Sequence, residues 1–546
     1  MSATKSFRPV NRKLILRTLG AFGGGILMGL TSAPLEAWYL AWVAIIPLWI
    51  LIHQAPNKTA IAPTKNLFRI VKKFYQRYQN PLIYSIAWGI GYQGLILFWI
   101  TGIHPMTWMG IPWFWSLCIA AAAWLIITVW GVCVPLLWTV GMLIFGELAP
   151  AFADSGQTKF KRIIYGSALW CVIEYVWSQG DLFWHFLAFS QSPHNLAILQ
   201  LTKLSGFTTV SAVILLVNGC FAEFFLDYLA KRKQNQAKLF LILGITIFTA
   251  FHGLGLGLFL TTETDTSQPF KIGIIQGNIP NEIKLYKDGT TGAIANYTKG
   301  YRELAQQNVD LIITPETALP FKIEQVLGGT ALSRAMRQEK IPIILGAFGS
   351  EGKNFTNSLF TINAQTEVIS RYNKQRLVPL GEYIPFESIL GKFIDRLSPL
   401  DAHLARGQNP PTLMTPIGQA IAAICYESAY PEHFRRQTAA GGEFIIVSSN
   451  DAHYSPTMPA QHHALDVMQA IANSRWTVRA SNTGYSGIVS PTGETTWLSQ
   501  LNHYETHSGT IFLSSIKNLY VSWGNWLVKL NILLLTLLGV SQKFKE

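Results

Sequence analysis

The chain has 546 residues, enough for more than one folding unit, since a domain typically has roughly 100 to 200 residues. Hydrophobic residues make up 49% and charged residues 13%, about half the ~25% charge of a soluble globular protein. This composition excludes both a wholly soluble chain and a disordered one. The net charge of +13 indicates nucleic-acid binding only if the basic side chains gather on one folded surface.

The basic residues are not gathered in that way. Between residues 263 and 517 there are 21 Lys and Arg against 22 Asp and Glu, whereas the rest of the chain holds 22 basic and 8 acidic side chains. The whole excess of positive charge therefore lies with the apolar segments. We predict no nucleic-acid partner.

Eight apolar runs are long enough to cross a bilayer, at about 20 residues each. They begin near Leu14, Trp38, Leu82, Ile111, Ile163, Thr208, Leu239 and Leu519. Basic residues cluster before the first run and in the loops between runs two and three, four and five, and six and seven. The loops between the other neighbouring runs, up to the sixth, are almost free of them. Under the positive-inside rule, this alternation predicts cytoplasmic termini and a block on the far side of the membrane after the seventh run.

These spans predict three parts: a seven-helix membrane domain at 1–262, an extracytoplasmic block at 263–517, and an eighth helix with a cytoplasmic tail at 518–546. Two runs are irregular. Ile111–Gly146 is longer than one upright helix needs, and Lys529 interrupts the last run. Loss of either span would invert the topology. For the first run, a signal sequence is the alternative interpretation.

The block at 263–517 has the composition of a soluble domain and alternates between short strands and helices, which predicts an α/β fold. Its predicted strands are Phe270–Gly277, Val309–Thr314, Ile341–Ala347, Ser358–Ile369, Ala420–Cys425 and Phe444–Ser449. The predicted helices between them are Gly289–Gln307, Thr330–Lys340 and Gln461–Arg475.

Three predicted strands lead to a reactive side chain. Glu316 follows the strand at 309–314, Lys374 follows the strand at 358–369, and Cys425 closes the strand at 420–425. Polar side chains at strand ends line the crevice where α/β proteins usually bind ligands. The sequence therefore places these residues at a candidate site.

Cys425 is the only one of the five cysteines outside the apolar runs. Outside the cytoplasm a thiol is normally paired or absent. A lone cysteine is a candidate nucleophile when an acid takes its proton and a cation stabilises the negative charge. Taken singly, a cysteine at a strand end is more often a small core residue, and Glu316 and Lys374 are more often charges that face water.

Several short motifs follow one another in the block. They are Pro315-Glu316-Thr317, Asn373-Lys374 followed by LVPLGEYIP at 377–385, Cys425-Tyr426-Glu427, and Asn450-Asp451-Ala452. Two further segments, 276–280 and 481–484, belong to the same pattern. Together with the order of membrane spans, these motifs resemble the membrane-attached branch of the nitrilase superfamily, the apolipoprotein N-acyltransferases.

The resemblance implies a nitrilase-like αββα sandwich inserted between the seventh and eighth membrane spans. On matching positions it implies Glu316 as general base, Lys374 as the cation that supports charge on the intermediate, and Cys425 as nucleophile. Three further residues match positions that the family needs around this triad: Glu382, Tyr426 and Glu427. For the two glutamates, a structural role as hydrogen-bond acceptors is the alternative. The resemblance implies no metal and no organic cofactor.

The implied reaction is a ping-pong acyl transfer. Cys425 takes an acyl chain from a phospholipid, typically phosphatidylethanolamine, as a thioester. The chain then passes to the α-amino group of the diacylglyceryl-cysteine that begins a lipoprotein. The implied location is the bacterial inner membrane, with the catalytic domain on the periplasmic side.

Two other functions remain as alternatives. The first is a membrane-tethered amidase, which has the same triad and uses water as acceptor. The second is a transporter or scaffold, which would need ionisable residues within the membrane, where Glu174 and Glu223 are the few candidates.

The sequence departs from the family pattern at three places. Leu285 and Tyr286 follow Lys284, where the family usually has Trp, which raises the question of how the acyl pocket is covered. The segment 453–455, His-Tyr-Ser, replaces the usual Trp-Phe-Gly and predicts altered substrate contacts. Gln469 and Ala472 stand where Arg and Glu are common, which predicts altered local pairing.

The histidines of the block are a separate question. His453, His462 and His463 have no Cys or carboxylate at ligand spacing in the sequence. We therefore predict no metal site.

Overall fold

The structure of the protein is a computed structural model. It describes residues 12–54, 67–148, 155–230, 234–262, 268–352, 354–379, 381–383, 404–408 and 412–543. Several basic residues of the predicted cytoplasmic loops, at positions 5, 8, 58, 65 and 231–233, lie outside the described residues. The same holds for Leu380, Ile384 and Pro385 of the motif at 377–385.

The N-terminal half of the described chain is helical. Its helices are α1 Arg12–Gly29, α2 Ile46–His53, α3 Leu67–Ile96, α4 Trp113–Leu148, α5 Gly156–Trp177, α6 Leu196–Leu199, α7 Thr202–Ser205, α8 Phe207–Leu229 and α9 Gln234–Leu260. Within the described residues, three helical segments are long and apolar enough to cross a membrane: Trp113–Gly146, Phe207–Leu229 and Gln234–Leu260. The long run at 111–146 forms one helix, α4, with Pro135 inside it. The count of eight spans stays a prediction.

Helices α1 and α3 approach each other through glycine. A Cβ on Gly25 would lie 2.0 Å from the carbonyl oxygen of Trp88, and a Cβ on Gly91 would lie 2.6 Å from that of Phe22. Between apolar helices, small residues permit this close backbone contact and the dispersion attraction that follows. Gly25 and Gly91 therefore form the packing surface between α1 and α3.

The buried carboxylates of the helical half have structural partners. Glu223 accepts hydrogen bonds from Trp49 Nε1 at 3.1 Å and from Arg162 Nη2 at 3.1 Å. Glu174 accepts hydrogen bonds from the backbone nitrogen of Leu187 at 2.6 Å and from Ser211 Oγ at 2.8 Å. Satisfied carboxylates of this kind hold helices together, and the transporter alternative loses its candidate residues.

The described residues of the C-terminal half form two six-stranded sheets. The strands are β1 Pro269–Gln276, β2 Leu311–Ile313, β3 Ile343–Glu351, β4 Asn354–Ile362, β5 Val368–Asn373, β6 Leu413–Thr415, β7 Gly418–Ile424, β8 Phe444–Ser449, β9 Thr477–Ser481, β10 Gly487–Val489, β11 Thr495–Leu498 and β12 Glu505–Phe512. The strand orders are β12-β1-β2-β3-β4-β5 and β11-β10-β9-β8-β7-β6. In each sheet the three core strands are parallel: β1, β2 and β3 in one, and β7, β8 and β9 in the other.

The helices between the strands are α10 Asn281–Lys284, α11 Lys287–Ala305, α12 Ile323–Gly329, α13 Ala331–Glu339, α14 Pro431–Ala439 and α15 Thr457–Asn473. Two helices follow the last strand, α16 Leu519–Trp523 and α17 Trp526–Lys543, and α17 packs against α5 and α8 of the N-terminal half.

Alternate side chains of each strand face opposite layers, because the side-chain period of a strand is two residues. Ile274 of β1 and Ile446 of β8 belong to one core between the sheets. Ile275 of β1 belongs instead to a core shared with α11 and α13, and Ile445 of β8 to one shared with α14. The layers are therefore helix, sheet, sheet, helix, which confirms the predicted α/β sandwich.

One predicted strand is wrong. The segment 358–369 is not a single strand, because β4 ends at Ile362 and β5 begins at Val368. Asn363 Oδ1 accepts hydrogen bonds from the backbone nitrogens of Gln365 and Glu367, which turns the chain into a hairpin. Asparagine commonly forms turns of this type through its side chain.

Candidate active site

The parallel core strands bring the predicted motifs to one edge of the sandwich. Glu316 follows β2, Cys425 follows β7 and Asp451 follows β8. The carboxyl ends of parallel strands meet at the same edge of a sheet, where α/β proteins usually bind ligands. Lys374 reaches the same place from the end of β5, where its backbone nitrogen donates to the carbonyl oxygen of Asn357 at 2.8 Å.

The two additional motifs join the sheets at this edge. Asn482, after β9, accepts a hydrogen bond from the backbone nitrogen of Ile279 at 2.9 Å and donates to Asn450 Oδ1 at 3.0 Å. Gln276 Oε1 accepts hydrogen bonds from the hydroxyls of Ser486 and Ser499 at 2.6 and 2.8 Å. These segments therefore connect the two sheets beside the site.

Lys374 forms the centre of a buried charge network. Its Nζ donates to Glu316 Oε1 and to Glu382 Oε1, each at 2.9 Å. Asn357 Nδ2 joins the same two oxygens, at 2.6 Å from Glu316 and 3.1 Å from Glu382. The backbone nitrogen of Asn450 donates to Glu316 Oε2 at 3.0 Å. Glu316, Lys374 and Glu382 are thus brought together as predicted from the motifs, and Asn357 is an addition.

The network fixes the protonation of its two acids differently. Burial alone would raise the pKa of Glu316, but the ammonium groups of Lys374 and Lys284 outweigh burial and hold that pKa below its usual range. Burial, together with the charge of Glu316, raises the pKa of Glu382. Burial opposes the charge on Lys374, but its carboxylate neighbours raise its pKa well above the usual value. Glu316 is therefore the ionised carboxylate, ready to accept a proton.

Cys425 lies on a sharp turn between β7 and a short 3-10 helix, Cys425–Ala429. Its φ is +52°, in the left-handed region that non-glycine residues rarely adopt and that concentrates at functional sites. Burial, and next the charge of Glu316, raise the pKa of its thiol well above the usual value. The resting side chain is therefore a thiol, and attack by sulfur requires a base.

Glu427 holds the two loops of the site together. Its Oε1 accepts hydrogen bonds from the backbone nitrogens of Gln375 at 2.7 Å and Arg376 at 3.0 Å. Its Oε2 accepts from the backbone nitrogen of Ile424 at 2.7 Å and from the hydroxyl of Tyr372 at 2.8 Å. The carboxylate thus connects the segment after Lys374 to the strand end before Cys425. This geometry favours the structural interpretation of Glu427.

Tyr426 faces the helical half of the protein. Its hydroxyl lies 2.7 Å from the carbonyl oxygen of Asp181 and 2.8 Å from that of Phe183. Its ring stacks on Trp184, with 6.2 Å between the ring centroids and 8° between the planes. Tyr426 therefore anchors the turn of Cys425 to the loop after α5.

Asp181 is a site residue that the sequence did not reveal. Its carboxylate accepts hydrogen bonds from Arg376 Nη1 at 3.1 Å, Tyr383 Oη at 2.8 Å and Arg406 Nη2 at 3.1 Å. All three donors lie more than 190 residues further along the chain. The one available signal was an acid in a loop that is otherwise poor in charge.

A second contact with the helical half involves the segment at 453–455. The ring of Tyr454 meets Trp99 edge to face, with 4.9 Å between centroids. A Cβ on Gly102 would lie 2.2 Å from the backbone nitrogen of Ser455. Asn281 Nδ2 donates a hydrogen bond to His453 Nδ1 at 3.0 Å, and the ring of His453 lies near that of Trp108. This departure from the family pattern therefore lies at the contact between the two halves.

Lys284 is a second ammonium group beside the triad, which the sequence interpretation did not assign to the site. It is buried, and its Nζ donates to the carbonyl oxygen of Glu316 at 3.2 Å. Burial lowers its pKa to about 8. Next to it, Ile283, Leu285 and Tyr286 expose apolar surface.

His462 also has neighbours that its sequence spacing does not show. One donor atom each from Cys425, Asp451 and His462 lie within 4.8 Å of one another. Such donors occur in metal sites, but Asp451 Oδ1 and His462 Nδ1 already form a hydrogen bond at 2.9 Å. The arrangement is a Cys–His–Asp cluster with one internal bond.

Comparisons with known proteins agree with this architecture. Residues 271–519 match the family model for carbon-nitrogen hydrolases, and residues 24–220 match the model for the apolipoprotein N-acyltransferase N-terminal domain. An amidase of the nitrilase superfamily from Nesterenkonia aligns with a TM-score of 0.35 and 17% identity, over 48% of this chain and 97% of that one. The chain therefore contains a carbon-nitrogen hydrolase domain at residues 271–519, after a helical, apolar N-terminal half.

Relatives over the whole length identify the family. The apolipoprotein N-acyltransferase of Nostoc sp. is 47% identical, over 92% of this chain and 95% of its own. That of Synechocystis sp. is 44% identical, over 92% of this chain and 96% of its own. The chain belongs to the apolipoprotein N-acyltransferase family.

Proposed function

We propose that this protein transfers an acyl chain from a phospholipid, through a thioester on Cys425, to the α-amino group of the diacylglyceryl-cysteine at the start of a lipoprotein. The observation that carries the proposal is the ion pair of Lys374 and Glu316, 2.9 Å apart, beside the buried turn of Cys425. Family membership supports the same activity.

In the first half-reaction, the carboxylate of Glu316 takes the thiol proton of Cys425 as the sulfur attacks the ester carbonyl. Lys374 stabilises the negative charge of the tetrahedral intermediate. Glu316 then returns the proton to the departing alcohol of the lysophospholipid. The acyl chain remains on sulfur as a thioester.

In the second half-reaction, the neutral amine of the lipoprotein attacks the thioester carbonyl. Glu316 takes a proton from the amine nitrogen, the C–S bond breaks, and an amide forms. The proton on Glu316 then returns to the sulfur. The low pKa keeps Glu316 ionised at rest, so its carboxylate is unprotonated when each step begins.

The lipid nature of both substrates fits the apolar surroundings of the site. A soluble enzyme would have to extract acyl chains from the bilayer, at about 0.8 kcal/mol for each methylene group. Long apolar helices in the same chain, and the exposed apolar side chains of Ile283, Leu285 and Tyr286, reduce that cost. We place the protein in the bacterial inner membrane, with the catalytic domain on the periplasmic side and both termini in the cytoplasm.

Intact-mass analysis of the purified full-length protein in phospholipid vesicles tests the mechanism. We expect an adduct of acyl mass that maps to Cys425 and is released by hydroxylamine. Cys425→Ala and Cys425→Ser should abolish the adduct and the transfer, while Cys118→Ser, at an exposed cysteine of α4, should retain both. Unimpaired transfer by both Cys425 variants would refute the assigned nucleophile.

The acceptor is tested separately. Vesicles with and without a diacylated peptide should differ, because the transferase gives an N-acylated peptide only in its presence. Release of free fatty acid at the same rate in both samples would establish the membrane-tethered hydrolase instead.

A further inference from the structure

Two arginines lie beside the candidate site, and the proposed mechanism gives them no role. Arg376 Nη1 and Arg406 Nη2 each donate to the carboxylate of Asp181 at 3.1 Å. The hydroxyl of Tyr383 donates to the same carboxylate at 2.8 Å. The hydroxyl of Tyr426, the residue after the proposed nucleophile, donates to the carbonyl oxygen of Asp181 at 2.7 Å. The arginine pair is therefore connected to the turn of the nucleophile through two residues.

The charges of this cluster do not balance. Burial alone would raise the pKa of Asp181, but the hydroxyl of Tyr383 and the guanidinium of Arg406 outweigh burial and lower it. The carboxylate is therefore ionised, and an arginine keeps its charge at any ordinary pH. Among the described residues, Asp181 is the carboxylate that forms ion pairs with Arg376 and Arg406. One positive charge is left in excess there, which suits a ligand with a single negative charge.

Both guanidinium groups are held against aromatic rings. The guanidinium carbon of Arg376 lies 4.7 Å from the ring centroid of Tyr430, and that of Arg406 lies 4.7 Å from the ring centroid of Tyr383. This contact holds the planar group and leaves the N–H donors at its edge accessible. A guanidinium has several N–H donors, and Asp181 accepts from one of them in each arginine. Because the two arginine side chains are also 34% and 45% exposed, donors remain for a second anion.

Arg376 also faces open space. Together with Tyr430 it lines a cavity of about 170 Å³ between the C-terminal end of α5 and α14. A cavity of this size has room for a polar group larger than a water molecule. Glu432 lines the same cavity, but its charge is balanced by Arg435 and Arg436. The cavity therefore presents a guanidinium to a ligand without an unpaired acid beside it, within the described residues.

The position of the cluster suits a lipid headgroup. Asp181 follows α5, Gly156–Trp177, which covers the fifth predicted membrane span. Trp177, at the end of α5, lies against Trp130 with 4.4 Å between ring centroids. Tryptophan is enriched where a span leaves the hydrocarbon core and enters the headgroup region. The phosphate and the acyl esters of a phospholipid are on the same glycerol unit, so an ester held at Cys425 brings its phosphate to this region.

We propose that Arg376 and Arg406 bind the phosphodiester of the phospholipid acyl donor and thereby hold its ester at Cys425. The guanidinium N–H groups donate to the phosphate oxygens, as arginine commonly does in phosphate sites. Asp181 keeps the two guanidinium groups together, and the phosphodiester neutralises their excess charge. This inference rests on the proposed function, because it concerns the donor of that reaction.

Lipid binding tests the proposal without any turnover. The probe is a dialkyl ether analogue of phosphatidylethanolamine, which has no acyl ester. Its binding to the full-length protein in detergent micelles is measured by native mass spectrometry. The loss of one charge-assisted contact in Arg376→Gln or Arg406→Gln should raise the dissociation constant about tenfold or more. A dialkylglycerol, which lacks the phosphate, should bind the wild type and both variants equally. Arg334→Gln, at an exposed arginine of α13, is the matched control and should bind both lipids as the wild type does.

The competing explanation is that the arginines only hold the loops of the site against the helical half. In that case both variants should lose the phospholipid and the dialkylglycerol to the same extent, and this result would overturn the proposal. An unchanged dissociation constant for the phospholipid in both variants would also overturn it.

Competition separates a lipid headgroup from free phosphate. Glycerophosphoethanolamine, the headgroup without its chains, should displace the phospholipid from the wild type at a lower concentration than inorganic phosphate does. The reverse order would assign the cluster to free phosphate and overturn the proposal. Thioester formation on Cys425 is measured in separate samples. Lipid binding as expected in a protein that forms no thioester would therefore be a failure of the proposed function alone.

Discussion

The structural role of Glu427 can be tested by one substitution, because a buried carboxylate that only accepts hydrogen bonds should affect stability and not the chemistry directly. It is completely buried, and its two oxygens accept four hydrogen bonds, three of them from backbone nitrogens. Glu427→Gln keeps the shape of the side chain and removes its charge. Whichever oxygen becomes the amide nitrogen, at least one backbone N–H then faces another donor.

The expected loss follows from these contacts. A buried N–H left without an acceptor costs about 1–3 kcal/mol, and a hydrogen bond to a neutral group is weaker than one to a charged group by roughly 1 kcal/mol. One hydrogen bond is lost and the other three are weakened. Together these changes should lower the free energy of unfolding of the catalytic domain by about 4–6 kcal/mol. For a domain of this size, that corresponds to a decrease of roughly 10–20 °C in the unfolding midpoint.

Thermal unfolding of the purified protein, followed by exposure of its buried cysteines to a fluorogenic thiol reagent, measures the change. Glu432→Gln is the control, because Glu432 is part of a more exposed ion pair with Arg435 and Arg436, worth at most about 1 kcal/mol. A midpoint for Glu427→Gln within 2 °C of the wild type, together with lost acyl transfer, would refute the structural role.

Two further predictions concern the contact between the halves. Gly102→Ala places a methyl group 2.2 Å from the nitrogen of Ser455, so we expect overpacking to cost about 1–3 kcal/mol and lower the unfolding midpoint. Gly20→Ala, inside α1 with nothing within 4 Å, should leave the midpoint unchanged or raise it slightly, because Ala is favoured over Gly in a helix. Equal midpoints for both variants would contradict the reasoning. Burial lowers the pKa of His453 to about 4 from 6.5. As the pH falls, the imidazole of His453 is therefore protonated in the unfolded chain before it is protonated in the folded protein. The free energy of unfolding is at its full value above about pH 6.5 and should decrease by about 3 kcal/mol as the pH falls to 4. Unfolding midpoints measured from pH 7 to 4 should decrease less for His453→Phe, and parallel curves would count against this role.

The sequence predicted the parts of this protein that depend on local pattern. Buried parallel strands appear as β-branched apolar segments, so β1, β2, β3, β7 and β8 were found close to their observed positions. Glu316 and Cys425 were singled out because each follows such a strand within a recognisable motif, and Lys374 was singled out by its motif. Their catalytic roles stay a prediction. The segment at 358–369 was misread because the turn at Asn363 depends on a side-chain hydrogen bond, which an apolar pattern does not show.

Contacts between distant segments were not predictable in this way. Asn357 lies inside a strand and looks like any other strand residue, yet it bridges Glu316 and Glu382. Asp181 meets its partners only when the helical half contacts the sandwich, and the spacing of His462 in the sequence gives no sign of Cys425 beside it. The periodicity of a sequence shows which face of a helix or strand a residue occupies. It does not show which distant residue that face contacts in the fold.

The raised pKa of Cys425 has a consequence for the chemical durability of the protein. Thiolates react with peroxides and disulfides far faster than thiols do, and oxidation beyond the sulfenic acid is irreversible for most proteins. Because the Cys425 thiol is buried and protonated at rest, it is shielded from oxidants. In the proposed mechanism the sulfur is vulnerable only for the short time in which Glu316 holds its proton.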